Sequence, residues 1–70
     1  MKLKALVQNQ NDRIKWLIIE SDENETKGYF LYYHINDNFA YDSWFMTINE
    51  AFDAASEQYG IKQEDWRKSE

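Results

Sequence analysis

Alternation of apolar and polar residues opens the chain: Leu3, Ala5 and Val7 fall between Lys2, Lys4 and Gln8. That period of two is the mark of a half-buried strand and predicts one over residues 2–8. Asn9 to Asp12 is a polar, turn-forming break, after which alternation resumes over 13–20 with Ile14, Trp16 and Ile18 on one side. A four-residue loop at 9–12 sets Val7 opposite Ile14, Ala5 opposite Trp16 and Leu3 opposite Ile18, so loop length and hydrophobic register agree on one hairpin. The polar, acidic stretch from Ser21 to Lys27 reads as an exposed loop closed by Gly28. An aromatic strand follows over 28–35, with Tyr29, Leu31, Tyr33 and Ile35 placed on the same face as the hairpin core. Asn36 to Asn38 is a turn signal, because Asn and Asp tolerate positive φ and bond to the local backbone. A short fourth strand over 39–45 would return at the sheet edge, with Asp42 falling on the core side.

Then the period changes from two to 3.6. Thr47 and Glu50 form a capping-box pair, and Ile48, Ala51, Phe52, Ala55 and Tyr59 make one apolar stripe of a helix over 48–59. Gly60 is placed to end it in the left-handed conformation, with Ile61 after it as the hydrophobic contact. Trp66 returns as an aromatic anchor, and the tail over 67–70 is expected to be frayed. The expected class is α+β, one domain over 1–70. Its architecture is an antiparallel meander of three to four strands with one C-terminal helix on one face, in ββββα order.

Seventy residues bury only about 60% of the surface their unfolded chain exposes, so such a domain needs reinforcement. With no cysteine there is no disulfide, zinc-thiolate site or thiol chemistry. Aromatic mass takes their place, since three Trp, five Tyr and four Phe can fill a small core. Trp16 and Trp66 read as core; Trp44, just before the helix, could be core or line a shallow pocket.

One helix can cover only one face of this sheet. The predicted register turns Lys2, Lys4, Leu6, Arg13, Lys15, Leu17, Ile19, Phe30, Tyr32 and His34 to the other, an apolar-aromatic centre with basic neighbours. Contiguous apolar surface of that kind marks an interaction site, so Leu6, Lys15, Leu17, Ile19, Phe30, Tyr32 and His34 are the candidate binding residues. The occupant would be a second copy of the chain or another protein.

Charge narrows the alternatives. The net charge is −5, with residues 1–19 at +3 and the remainder at −8. Aromatics beside Lys and Arg could stack unpaired bases, but an acidic chain without an RNP-like motif repels phosphate, which disfavours nucleic acid. Glu50, Asp53 and Glu57 line the outer side of the helix. That row lacks the cleft a catalytic carboxylate pair needs, and serves as a solvated face or as an acidic docking row for a basic enzyme. Asp22 to Glu25 lacks the spacing of a calcium loop. His34 has no nucleophile motif to serve. No catalytic residue, metal site or cofactor is expected. Without a leader-like or membrane-spanning apolar run, the expected compartment is the cytoplasm.

The segment Asp42-Ser-Trp44, Glu50-Ala51, Ala55, Tyr59-Gly60-Ile61 and Trp66 resembles a class of small bacterial domains of unknown function. The likeness covers a little over half the chain. It implies a bacterial, cytoplasmic origin and the strand-then-helix order, and no activity. The leading expectation is therefore a non-catalytic protein-interaction module using the sheet face opposite the helix. A small acidic inhibitor or immunity-type protein is the alternative from another class, and a single-stranded nucleic-acid binder is the third.

Overall fold

Residues 1–9, 11–23 and 27–69 are described in the computed structural model. Gln10, the middle of the acidic loop expected at 21–27, and Glu70 lie outside the described residues. Five strands form one antiparallel sheet: β1 (Lys2–Leu6), β2 (Trp16–Ser21), β3 (Tyr29–Asn36), β4 (Phe39–Phe45) and a short β5 (Arg67–Lys68). Their spatial order is β4-β3-β2-β1-β5. The helix α1 (Ile48–Tyr59) follows β4, and a 3₁₀ turn (Gln63–Asp65) leads into β5. The meander-then-helix order of the α+β expectation holds, with five strands in place of three to four.

Helix boundaries are set by side chains already visible in the sequence. Thr47 Oγ1 accepts from the Glu50 N–H at 3.2 Å, while Glu50 Oε1 accepts from the Thr47 N–H at 3.0 Å. These reciprocal bonds satisfy donors that the first turn leaves without helical partners. At the other end Gly60 takes φ 67°, where an L side chain is strained, and its N–H bonds to the Ser56 carbonyl at 2.9 Å. Ala51 and Ala55 are fully buried; their small side chains let the helix lie close on β3 and β4.

One expectation is overturned by a slip of one residue. In the β1–β2 hairpin Ala5 pairs with Leu17, Leu3 with Ile19 and Leu6 with Trp16, whereas alternation alone predicts Trp16 opposite Ala5. Loop chemistry explains the slip. Asn9 Oδ1 accepts the Asn11 N–H and Asp12 Oδ1 accepts the Ile14 N–H, so two Asx turns absorb residues that an even four-residue loop would have left in the strands. β1 consequently ends at Leu6 and β2 begins at Trp16. A one-residue shift moves every side chain of a strand to the other face. Leu17 and Ile19 enter the core, both 0% exposed, and Trp16 and Ile18 turn to the face opposite the helix. Ile14 still reaches the core, from the irregular segment before β2.

On β3 the expected parity holds: Leu31 and Tyr33 are core, with Tyr29 and Ile35 packed against it. β4 pairs Tyr32 with Asp42 and Leu31 with Ser43, which puts Asp42 on the open face and not on the core side. The tail is paired, not frayed, as far as it is described. Arg67 lies opposite Lys4 and Lys68 opposite Leu3, and the Ser69 N–H bonds to the Lys2 carbonyl at 2.9 Å. Trp66 anchors that return, buried against Phe52 with ring centroids 5.8 Å apart.

This register makes a paired prediction. Leu17→Ala should cost about 2–5 kcal/mol in urea unfolding, the range for truncating a fully buried leucine. Leu6→Ala, on the opposite side of the hairpin and 58% exposed, should change stability by about 0.5 kcal/mol or less. Equal losses would contradict the register.

Candidate functional site

Pairing places the open face on a grid of three rows running across the strands. The first row runs Lys2, Glu20, Phe30, Trp44, and the third Leu6, Trp16, His34, Ala40. Between them lies Arg67, Lys4, Ile18, Tyr32, Asp42. Cross-strand neighbours in a row stand about 5 Å apart, close enough for rings and long side chains to touch.

The rings do touch. Trp16 and His34 stack with centroids 5.1 Å apart and planes 10° from parallel. Lys4 Nζ sits 4.9 Å above the Trp16 ring, a cation–π contact. Phe30 and Tyr32, two residues apart on β3, stack at 5.8 Å. Ile18 lies beneath this aromatic surface at 6% exposed although no helix covers it. Lys2, Lys4, Trp16, Ile18, Glu20, Tyr32 and His34 are among the residues around a shallow depression of about 390 Å³, with Asp37 and Ala40 on its β4 side.

Trp44 occupies the β4 edge, 42% exposed, with its indole laid over Gly28. Any Cβ at residue 28 would collide with that ring, so here glycine is required for close approach and not for its φ. His34 Nδ1 lies 3.3 Å from the Asn36 carbonyl. Burial first, then the carboxylates of Glu20, Asp42 and Asp22, raise the Tyr32 hydroxyl above the ordinary tyrosine pKa, because each disfavours the phenolate.

Of the sequence-predicted binding residues, Leu6, Phe30, Tyr32 and His34 lie together on this face, while Leu17 and Ile19 do not because they are core. Lys15 is exposed beside the start of β2, and its Nζ donates to the Asp12 carbonyl at 2.7 Å. Arg13 lies elsewhere, on the rim of a second depression of about 500 Å³ lined also by Ile14, Tyr33, Tyr41, Ser43 and Tyr59 on the helix side. Trp16, Ile18, Glu20, Asp42 and Trp44 complete the open face, where the alternation pattern does not put them. For Trp16 and Ile18 the signal is the unbroken apolar run Trp16 to Ile19, which serves both faces of a central strand. The acidic row is exposed on α1, but Glu50 is engaged in the helix cap.

Among the described residues, no group of three or more His, Asp or Glu is placed to hold a metal ion. Nor is any helix long and apolar enough to cross a membrane. No family model, curated protein or solved structure matches this chain.

Two measurements probe the site. Gly28→Ala should displace the Trp44 ring, shifting tryptophan emission to the red and costing about 1–3 kcal/mol, as overpacking does. In a titration of tyrosinate absorbance, the component lost in Tyr32→Phe should ionise above the ordinary tyrosine range, and Glu20→Gln should lower it. Linkage fixes the sign: the folded state holds this proton more tightly, so its contribution is intact below the unfolded tyrosine pKa and is lost as pH rises through the raised value.

Proposed function

We propose that this protein is a non-catalytic interaction module that self-associates through the sheet face opposite α1. The observation that carries the reading is one-sided cover: α1 lies against β3 and β4 on one side, and Trp16, Phe30, Tyr32, His34 and Trp44 are left contiguous on the other. Aromatic residues dominate the centres of protein interfaces, and contiguous exposed apolar surface on a small domain marks a contact surface. A second copy would also stabilise a chain too short to gain much from its own core, by mass action.

The competing readings draw less support. An inhibitor using the acidic row would have Asp53 and Glu57 free for docking, since Glu50 caps the helix. A nucleic-acid strand on the open face would meet Glu20 and Asp42 as well as Lys2 and Lys4, and phosphate is repelled by the first pair. His34 is held in the Trp16 stack as part of the contact surface, and the module calls for no cofactor.

Light scattering over a concentration series tests the reading. The wild-type chain should approach twice its monomer mass as concentration rises. Tyr32→Glu and Leu6→Glu, each with an unchanged far-ultraviolet spectrum, should remain monomeric, and Glu57→Lys on the helix should behave as wild type. A wild-type monomer throughout the millimolar range would overturn it.

A further inference from the structure

The open face is polarised, and the polarity is self-complementary. Its positive charges, Lys2, Lys4 and Arg67, lie on β1 and β5 at one side of the sheet; Asp42 lies on β4 at the other, and between them stand the rings of β2 and β3 with one further acid, Glu20, paired beside Lys2 in the first row. Building on the self-association proposed above, we infer that two copies meet face to face about a two-fold axis that runs parallel to the strands, over the boundary between β2 and β3.

The argument is geometric. A two-fold axis lying in the interface and along the strands exchanges the two sides of the sheet while keeping each row at its own height. Centred between β2 and β3, it sets β2 over β3 of the second copy and β1 over β4. In the middle row Lys4 then faces Asp42 of the second copy and Ile18 faces Tyr32. In the outer rows Lys2 faces Trp44, a cation on an aromatic face, Trp16 faces His34, and Glu20 lies over Phe30 with Lys2 of its own chain beside it. Both symmetry-related Lys4–Asp42 pairs form at once, because the contact is isologous.

The other in-plane axis, at right angles to the strands, inverts the rows and leaves each strand over itself. Passing over the middle row, it would set Lys4 against Lys4 and Asp42 against Asp42, a like-charge juxtaposition that disfavours the interface. Charge thus selects one of the two in-plane axes that keep the strands of both copies aligned. Both axes keep the strands aligned, as sandwiched sheets prefer within about 30°, so the choice between them rests on charge. Four strands about 4.8 Å apart and roughly 20 Å long give a planar footprint on the order of 400 Å² per copy. Counted over both copies that is about 800 Å², below the roughly 1,200 Å² at which standard specific interfaces begin, so the association is of the weak, transient class.

Charge reversal tests the axis by complementation. Lys4→Glu alone sets a carboxylate against Asp42, and Asp42→Lys alone sets an ammonium group against Lys4, so each variant by itself should dimerise at least about tenfold more weakly than wild type. An equimolar mixture of the two should restore association to within about threefold of wild type. In that heterodimer one cross-chain pair is the native Lys4–Asp42 contact and the other is the same contact with its charges exchanged, so both are matched. The neutral variants Lys4→Gln and Asp42→Asn should each weaken dimerisation, and an equimolar mixture should recover only part of it, because their heterodimer keeps one native Lys4–Asp42 pair where the charge-reversed mixture regains two matched pairs. Sedimentation equilibrium reads all of these. A dimeric wild type whose two reversed variants fail to associate on mixing would overturn the axis and leave self-association standing. So would tighter association of Lys4→Glu with wild type than of either alone, the signature of the rejected axis. A monomeric wild type would overturn both.

Discussion

Which residues of β2 face the helix is the constraint from which the rest of this structure follows. β2 is the middle strand of five, hydrogen-bonded to β1 on one side and β3 on the other, so its parity sets what both neighbours must offer on each face. With Leu17 and Ile19 inward, the core closes on Ala5, Leu31, Ala51 and Ala55. With Trp16 and Ile18 outward, the far face acquires the apolar floor and the stacked rings that make it a surface of interest. A helix about 10 Å across spans little more than two strands at about 4.8 Å spacing. α1 lies on β3 and β4, which leaves the β1 side to be sealed by something else. Ile61 and Trp66, carried back by the chain beyond Gly60, are in the core cluster with Ala5. Having brought Trp66 there, the chain stands beside the free edge of β1, and Arg67 and Lys68 pair with it. β5 is thus a consequence of where the helix cannot reach.

What can be read from the residues depends on whether one local signal dominates. Thr47 with Glu50, the apolar stripe to Tyr59, and Gly60 each specify helix structure within a single turn of chain, and all appear where the pattern puts them. β3 is legible because polar His34 and Asn36 break its aromatic run and show its period. β2 is not. Trp16, Leu17, Ile18 and Ile19 are all apolar, so alternation vanishes and parity falls to the loop. There, two Asx turns at Asn9 and Asp12 lengthen the connection beyond the regular spacing. β5 has no signal of its own: two cationic residues carry no periodicity, and only the trajectory imposed by Trp66 brings them to β1. The open face is legible as a face, through Phe30, Tyr32 and His34, but its β2 contribution inherits the one-residue slip.

The charge pattern gains meaning from the same geometry. Along the chain, positive residues cluster before β2 and acids after it, with the last strand lying in the acidic part. The sheet order brings Arg67 of that last strand next to Lys4, so the two basic segments join one edge although most of the chain separates them. Asp42 is carried by the meander to the opposite edge. A net charge of −5 makes two copies repel as wholes. At physiological ionic strength, however, that repulsion is screened beyond about 8 Å. Pairs such as Lys4 with Asp42 act within contact distance, inside the screening length, and next to rings that exclude water. Long-range repulsion and short-range complementarity are therefore separable by salt: moderate ionic strength removes the first well before it weakens the second. The orientation of the proposed dimer rests on the short-range part, which depends on the order of the strands and not on the sum of the charges.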